Sequence, residues 1–152
     1  LSIKDYAVLP ATSLSNAKLI RIDFFQKDVD KLSIYYPNPP YSTMNVFISG
    51  GEFSSQIVES HFFHRFVDTA IFATYPIKTA DQAFSELKKK NAYIASYPNN
   101  ESQISIKNIS LGYYMSDKNQ EYLMPIIVFQ GDNGFYAYIS AIKNNWIQEE
   151  NK

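Results

Sequence analysis

Ile20-Arg-Ile-Asp-Phe-Phe-Gln-Lys-Asp28 and Ile109-Ser-Leu-Gly-Tyr-Tyr-Met-Ser-Asp117 read almost alike, and their likeness decides the fold. Each alternates apolar residues, ends in an aromatic pair and breaks at an aspartate. Each is followed by a proline-containing stretch and then by a Val-Phe strand, Val46-Phe47-Ile48-Ser49-Gly50 in the first case and Val128-Phe129-Gln130-Gly131-Asp132 in the second. Alternation of period two, bounded by turn residues, is the signature of a strand with one buried face. Its recurrence predicts one β-meander used twice. The first connection is the longer, and it carries the rigid loop Tyr36-Pro37-Asn38-Pro39-Pro40-Tyr41.

Outward from these segments the elements follow in turn. Leu9-Pro10-Ala11-Thr12-Ser13 reads as a lead-in. Strands are predicted over 18–26, 32–36, 43–49 and 56–66, with Lys27-Asp28-Val29-Asp30-Lys31 turning the first and Gly50-Gly51 supplying positive φ for a hairpin. One helix is expected over about 79–90. Thr79 and Gln82 form a capping box, and Ala80, Ala83, Phe84 and Leu87 recur as one apolar stripe. Asp81 at the start and Lys88-Lys89-Lys90 at the end suit the helix dipole, with Asn91 as C-cap. The lysine run reads as a solvated helix end.

After a strand over 92–97 and the Pro98-Asn99-Asn100-Glu101 loop, three more strands are predicted. Ile104 and Ile106 share one parity while Ile109, Leu111 and Tyr113 share the other, so the first must bulge near Lys107-Asn108. Ser116-Asp117-Lys118-Asn119 and Gly131-Asp132-Asn133-Gly134 close hairpins, Pro125 marks an edge or a strand start, and 144–152 frays. The fold class is therefore α+β: antiparallel meanders in two pseudo-repeats with one main helix packed on the sheet. The division falls between a β-rich half, 1–74, and a helix-plus-meander half, 75–152, or the two form one compact unit.

Composition narrows the chemistry. A chain of 152 residues buries roughly two thirds of its unfolded surface and needs no disulfide or metal staple. It has no cysteine, which removes thiolate zinc sites and a cysteine nucleophile. The formal net charge is −1 and Arg21 and Arg65 are the only arginines, so no basic face can neutralise a run of phosphates and nucleic acid is not an expected partner. No run approaches the length of a membrane span, and no charged-then-apolar amino terminus resembles a signal peptide. The opening Leu1-Ser2-Ile3 suggests a fragment of a longer precursor, whose membrane attachment would lie in a segment absent from this chain.

Reactive constellations are poor. His61 and His64 are the only histidines, and three residues apart on a strand they point to opposite faces, so no metal site is expected. Ser49-Gly50-Gly51-Glu52-Phe53-Ser54 does not match the G-x-S-x-G nucleophile turn, and no phosphate-binding glycine loop occurs. Glu52, Glu59 and Asp68 leave open a carboxylate pair, which a pocket joining Glu59, His61 or His64 with Asp68 would favour. Asn100-Glu101-Ser102 and Asn108-Ile109-Ser110 match the N-glycosylation acceptor. No catalytic residue and no cofactor is assigned.

The segments Tyr75-Pro-Ile-Lys-Thr-Ala-Asp-Gln-Ala-Phe-Ser-Glu-Leu87, Ile109-Ser-Leu-Gly-Tyr-Tyr114 and Tyr122-Leu-Met-Pro-Ile-Ile-Val-Phe129, with Phe135-Tyr-Ala-Tyr-Ile139, resemble PepSY-type domains and the related two-domain YycH/YycI regulators of bacterial sensor kinases. The amino-terminal copy departs from that pattern in lacking a preceding helix. The resemblance implies an extracytoplasmic, often membrane-anchored module, a non-enzymatic protein-interaction or regulatory domain whose partner is a peptidase or a sensor-kinase ectodomain. A small peptide- or glycan-binding domain or hydrolase is the alternative. Twelve tyrosines and eleven phenylalanines supply large surfaces with polar tips, suited to recognition. Tyr35, Tyr36 and Tyr41 flank the proline loop and, with Tyr113 and Tyr114, are the candidate binding residues; the same rings could instead cover the sheet.

Overall fold

The computed structural model describes residues 13, 16–39, 41–50, 56–97 and 103–147. The lead-in through Thr12, Pro40, Gly51, Glu52, the loop 98–101 with its acceptor Asn100-Glu101-Ser102, and 148–152 lie outside the described residues. The protein is α+β, with one α-helix and two sheets. Two compact units result: the described residues up to Phe24 with Thr43–Phe63, and Phe25–Ser42 with the described residues from His64 onward.

The first unit is an antiparallel sheet of β1 (Leu19–Phe24), β3 (Met44–Ser49) and β4 (Ile57–Phe62), with β3 in the middle. Register pairs Ile20 with Ile48, Ile22 with Val46 and Phe24 with Met44, which gathers one apolar face. The other face is polar, because Arg21 and Glu59 flank Phe47, and Asp23 and His61 flank Asn45. Arg21 ion-pairs with Asp23 at 2.8 Å and lies over the Phe47 ring. Gly50 does not take the positive φ expected of it; its need is for space, since a Cβ there would overlap the Ala17 carbonyl oxygen. The fourth strand is shorter than predicted, ending at Phe62, so His64 is not on it.

In the second unit β2 (Ile34–Tyr35), β5 (Tyr93–Ser96), β6 (Ile106–Tyr114), β7 (Met124–Gly131) and β8 (Tyr136–Ser140) form a sheet ordered β2-β6-β7-β8-β5. Its meander β6-β7-β8 echoes β1-β3-β4, each with the Val-Phe strand in the centre. The echo is inexact in register. Val46 faces Ile22, whereas Val128 faces Ser110 and Ile127 faces Leu111, so the second Val-Phe pair is slipped by one residue and its side chains exchange faces. The predicted bulge is present, between Ile106 and Asn108. Pro125 is the second residue of central β7, a strand start rather than an edge.

Helix α1 (Ala80–Lys88) begins with the predicted box: Thr79 accepts from the Gln82 backbone N–H, and the Gln82 side chain accepts from the Thr79 N–H. Its C-cap is Lys89 rather than Asn91, with Lys90 at φ 62° turning the chain away. Ala83, Phe84 and Leu87 pack on Ile127, Phe129, Ala137 and Ile139, the core of this unit. Ala80, assigned to that stripe from the sequence, is exposed. Buried Lys78 fastens the helix, its Nζ donating to Glu86 Oε2 and to the Ser140 carbonyl, each at 3.1 Å. The chain after β8 is tied down as far as Ile147 rather than frayed, since Trp146 meets Tyr75 edge to face at 6.5 Å.

Candidate binding cleft

With α1 on one face of the five-stranded sheet, the residues of opposite parity project from the other. Ile126, Val128 and Tyr138 form a second buried cluster there, against which Tyr35, Tyr114 and Tyr136 pack. Tyr138 is the hub: its ring lies 5.9–6.1 Å from those of Tyr35, Tyr93 and Tyr114, in tilted arrangements that aromatic quadrupoles favour. Gly112 makes room for this layer. A Cβ at Gly112 would fall 2.6 Å from Cε2 of Tyr35, so a side chain there and the Tyr35 ring exclude each other.

The segment 25–39 is laid along the β6 edge by main-chain bonds. Tyr113 N–H donates to the Ser33 carbonyl and Met115 N–H to that of Tyr35, both at 2.9 Å, making β2 parallel to β6. The turn before it needs no glycine. Val29 and Leu32 exchange hydrogen bonds at 3.0 and 2.9 Å across Asp30 and Lys31, whose φ angles of 50° and 66° are those of a primed turn. At the far end Tyr41 N–H donates to the Asn38 carbonyl at 2.9 Å, and Tyr93 Oη donates to that of Pro37 at 3.2 Å.

A cleft of about 330 Å³ opens along this segment, lined by Phe25, Tyr35, Tyr36, Tyr41 and Tyr136 together with Asp28. Three sequence-predicted residues, Tyr35, Tyr36 and Tyr41, thus meet in one place. They are not equivalent. Tyr36 is buried, its ring 5.9 Å from that of Phe25, its hydroxyl accepting from the Gln26 N–H and its carbonyl accepting from Tyr138 Oη at 3.1 Å. Tyr41 is 44% exposed and Phe25 54%, so they form the accessible rim. Tyr113 and Tyr114 do not join the cleft: both are half-buried, Tyr113 against the Ile34, Tyr36 and Met115 cluster and Tyr114 in the layer around Tyr138.

Phe25, Tyr93, Tyr136 and Tyr138 are missing from the sequence-based candidates. Tyr136 and Tyr138 share a parity opposite to Phe135, Ala137 and Ile139, a signal that the last strand is covered on both faces. Burial and the neighbouring tyrosines push the Tyr138 hydroxyl far above its ordinary range, and burial, then Tyr93, raises that of Tyr114. These phenols stay neutral donors near pH 7.

The other candidates lie elsewhere. Glu59 and His61 share the polar face of β4 and bond to each other, while His64 and Asp68 belong to the second unit, where Asp68 accepts from the Ala70 N–H at 2.9 Å. No three His, Cys, Asp or Glu residues cluster as a metal site among the described residues. No helix of the described residues is long and apolar enough to cross a membrane. Comparison with known proteins finds no matching family model, no matching curated protein and no matching solved structure. The resemblance to PepSY-type domains rests on the quoted segments alone.

Proposed function

We propose that this chain is a non-enzymatic protein-interaction or regulatory domain of PepSY type, acting outside the cytoplasm, whose tyrosine cleft receives a segment of a peptidase or of a sensor-kinase ectodomain. The observation that carries this reading is the cleft itself, aromatic on its walls, rigidly backed by buried Tyr36 and Tyr138, and rimmed by accessible Phe25 and Tyr41. Rigid rings with polar tips bury much area at small entropic cost, which is why tyrosine is enriched in recognition surfaces. The connection before α1 adds support, since it leaves Phe66, Ile71 and Phe72 at least 75% exposed, and apolar side chains held in water on this scale mark contact surfaces.

The test uses the purified chain as bait against native cell envelope, with Tyr41→Ser beside it. Tyr41 is half exposed, so the variant keeps its circular dichroism and melting profile. A protein captured by the parent and by Tyr122→Ser, an exposed tyrosine away from the cleft, should be lost with Tyr41→Ser. Equal capture by all three chains would reject the cleft as the contact. The cleft volume, at the low end of small-ligand sites, favours as second reading a peptide- or glycan-binding domain. Titration with short peptides and oligosaccharides, followed through Tyr41 and Phe25 resonances, separates the two.

A further inference from the structure

We infer that β4 is a self-association edge, which pairs antiparallel with β4 of a second copy of this chain about a two-fold axis at Ser60. β4 ends the three-stranded sheet, and an edge strand offers a row of main-chain donors and acceptors to another strand. Natural edges are blunted by lysine, proline or covering chain. β4 carries neither residue type, and Ile57, Val58 and Phe62 are 69%, 57% and 80% exposed.

Hydrogen-bond parity and charge select one register. Phe63 N–H donates inward to the Thr43 carbonyl at 3.1 Å, and antiparallel bonding alternates, so His61 and Glu59 also face β3 and the main-chain groups of Ser60 point away from the sheet. The register shift opposite Phe47 and Ile48 places a bulge at Val58, and the Ser49 N–H donates to the Gln56 carbonyl, so regular alternation ends at Glu59 and outward groups bond outward groups in registers that set Ser60 opposite Ser60 or Phe62 of the second copy. Setting it opposite Phe62 places His61 against His61. Ser60 against Ser60 places Glu59 opposite His61 twice over, in the close non-hydrogen-bonded position, which joins the two intrachain Glu59–His61 bonds into one network and brings the bulged Val58 toward Phe62. The interface is isologous and closes on itself. It also keeps the apolar parity of both sheets on one side.

The outer edge β1 is the competitor. Its Leu19, Ile22 and Phe24 are 37–49% exposed, less than the apolar residues of β4. Two paired strands bury less than the roughly 1,200 Å² of a stable complex, so the dimer is expected to be weak and is best trapped covalently.

The chain has no cysteine, so engineered thiols report geometry directly. Equal amounts of full-length Glu59→Cys and His61→Cys chains are mixed at about 100 μM, oxidised mildly and weighed by mass spectrometry. The mixed disulfide should dominate either homodimer by about tenfold, because facing Cα atoms about 4.5 Å apart suit a disulfide and the second Glu–His pair survives only in the mixed species. In sedimentation velocity, Glu59→Lys should weaken association by about tenfold or more and Glu59→His with His61→Glu should restore it. Dominant homodimers, no disulfide between folded chains, or a cross-link by Ile22→Cys in its place would overturn the assignment.

Discussion

Gly112→Ala is expected to loosen the cleft from beneath while leaving the helix-side core intact. The added methyl carbon would lie 2.6 and 2.8 Å from two carbons of the Tyr35 ring and 2.9 Å from the Ser33 carbonyl oxygen. Carbon atoms rest about 3.5–4.0 Å apart, so the overlap approaches an ångström at the two ring carbons and is smaller at the Ser33 oxygen. The ring cannot simply rotate away, since Tyr138 packs on it and its hydroxyl lies 3.5 Å from Ser110 Oγ. The Ser33 carbonyl is held in turn by the Tyr113 N–H. Overpacking of this kind costs about 1–3 kcal/mol, and here the compliant element is two-residue β2 rather than nine-residue β6. Urea unfolding should show that loss. Hydrogen exchange should speed at Tyr113 and Met115, whose amides bond to β2, and stay slow at the β7–β8 amides. Gly134→Ala is the control, with φ 80° and no atom within 4 Å of the added carbon; it should cost about 1 kcal/mol through the backbone alone and leave Tyr113 and Met115 protected. Unchanged stability and unchanged exchange in Gly112→Ala would refute the claim that Tyr35 sits on the glycine.

Thr79→Ala should lower stability by about 1 kcal/mol through loss of the capping box, and Thr79→Ser should recover most of it, both read from urea midpoints. Tyr138→Phe removes the donor to the Tyr36 carbonyl and should cost about 1–2 kcal/mol, with faster exchange along 33–41 as the local sign. Alkali should destabilise the parent chain. The folded state holds the Tyr138 proton more tightly than the unfolded state, so this contribution is complete below pH 10 and is lost as pH rises above it. Tyr138→Phe should therefore flatten the stability decline in that range, read from urea midpoints.

Local rules reached the local features. The Thr79–Gln82 box, the bulge at Lys107 and the Gly131–Gly134 turn each depend on residues a few positions apart, and each could be read from spacing. The α+β class was legible for the same reason, since alternation and a single 3.6-residue period are properties of short windows. What escaped is long-range. No window contains Ile34 and Tyr113 together, so the parallel pairing of β2 to β6 was invisible and 32–36 read as a strand of its own half. The slipped register of the second Val-Phe pair was equally hidden, because the motif is the same while its partner strand sets the offset. Tyr36 looked like a loop residue beside prolines and is instead buried through its contacts with Phe25 and Tyr138.

The two sheets differ in what covers them, and this separates their roles. The five-stranded sheet is covered by α1 on one face and by the tyrosine layer on the other, so its recognition surface must come from the added strap, 25–41, where rings stand partly clear of the core. The three-stranded sheet has Met44 buried at the start of its central strand, while Phe24, Ile57 and Phe62 remain 49%, 69% and 80% exposed. Three strands approach the minimum for an independently stable sheet, and widening such a sheet through its edge gives the outward main-chain groups of Ser60 new partners without new sequence. Cleft and edge lie on different units, so Tyr41→Ser and Glu59→Lys should act independently: the first removes the captured partner without shifting the sedimentation of the chain, and the second does the reverse. A variant at one site that changed both readouts would show that partner capture and self-association share a surface, and the division of labour between the sheets would fall.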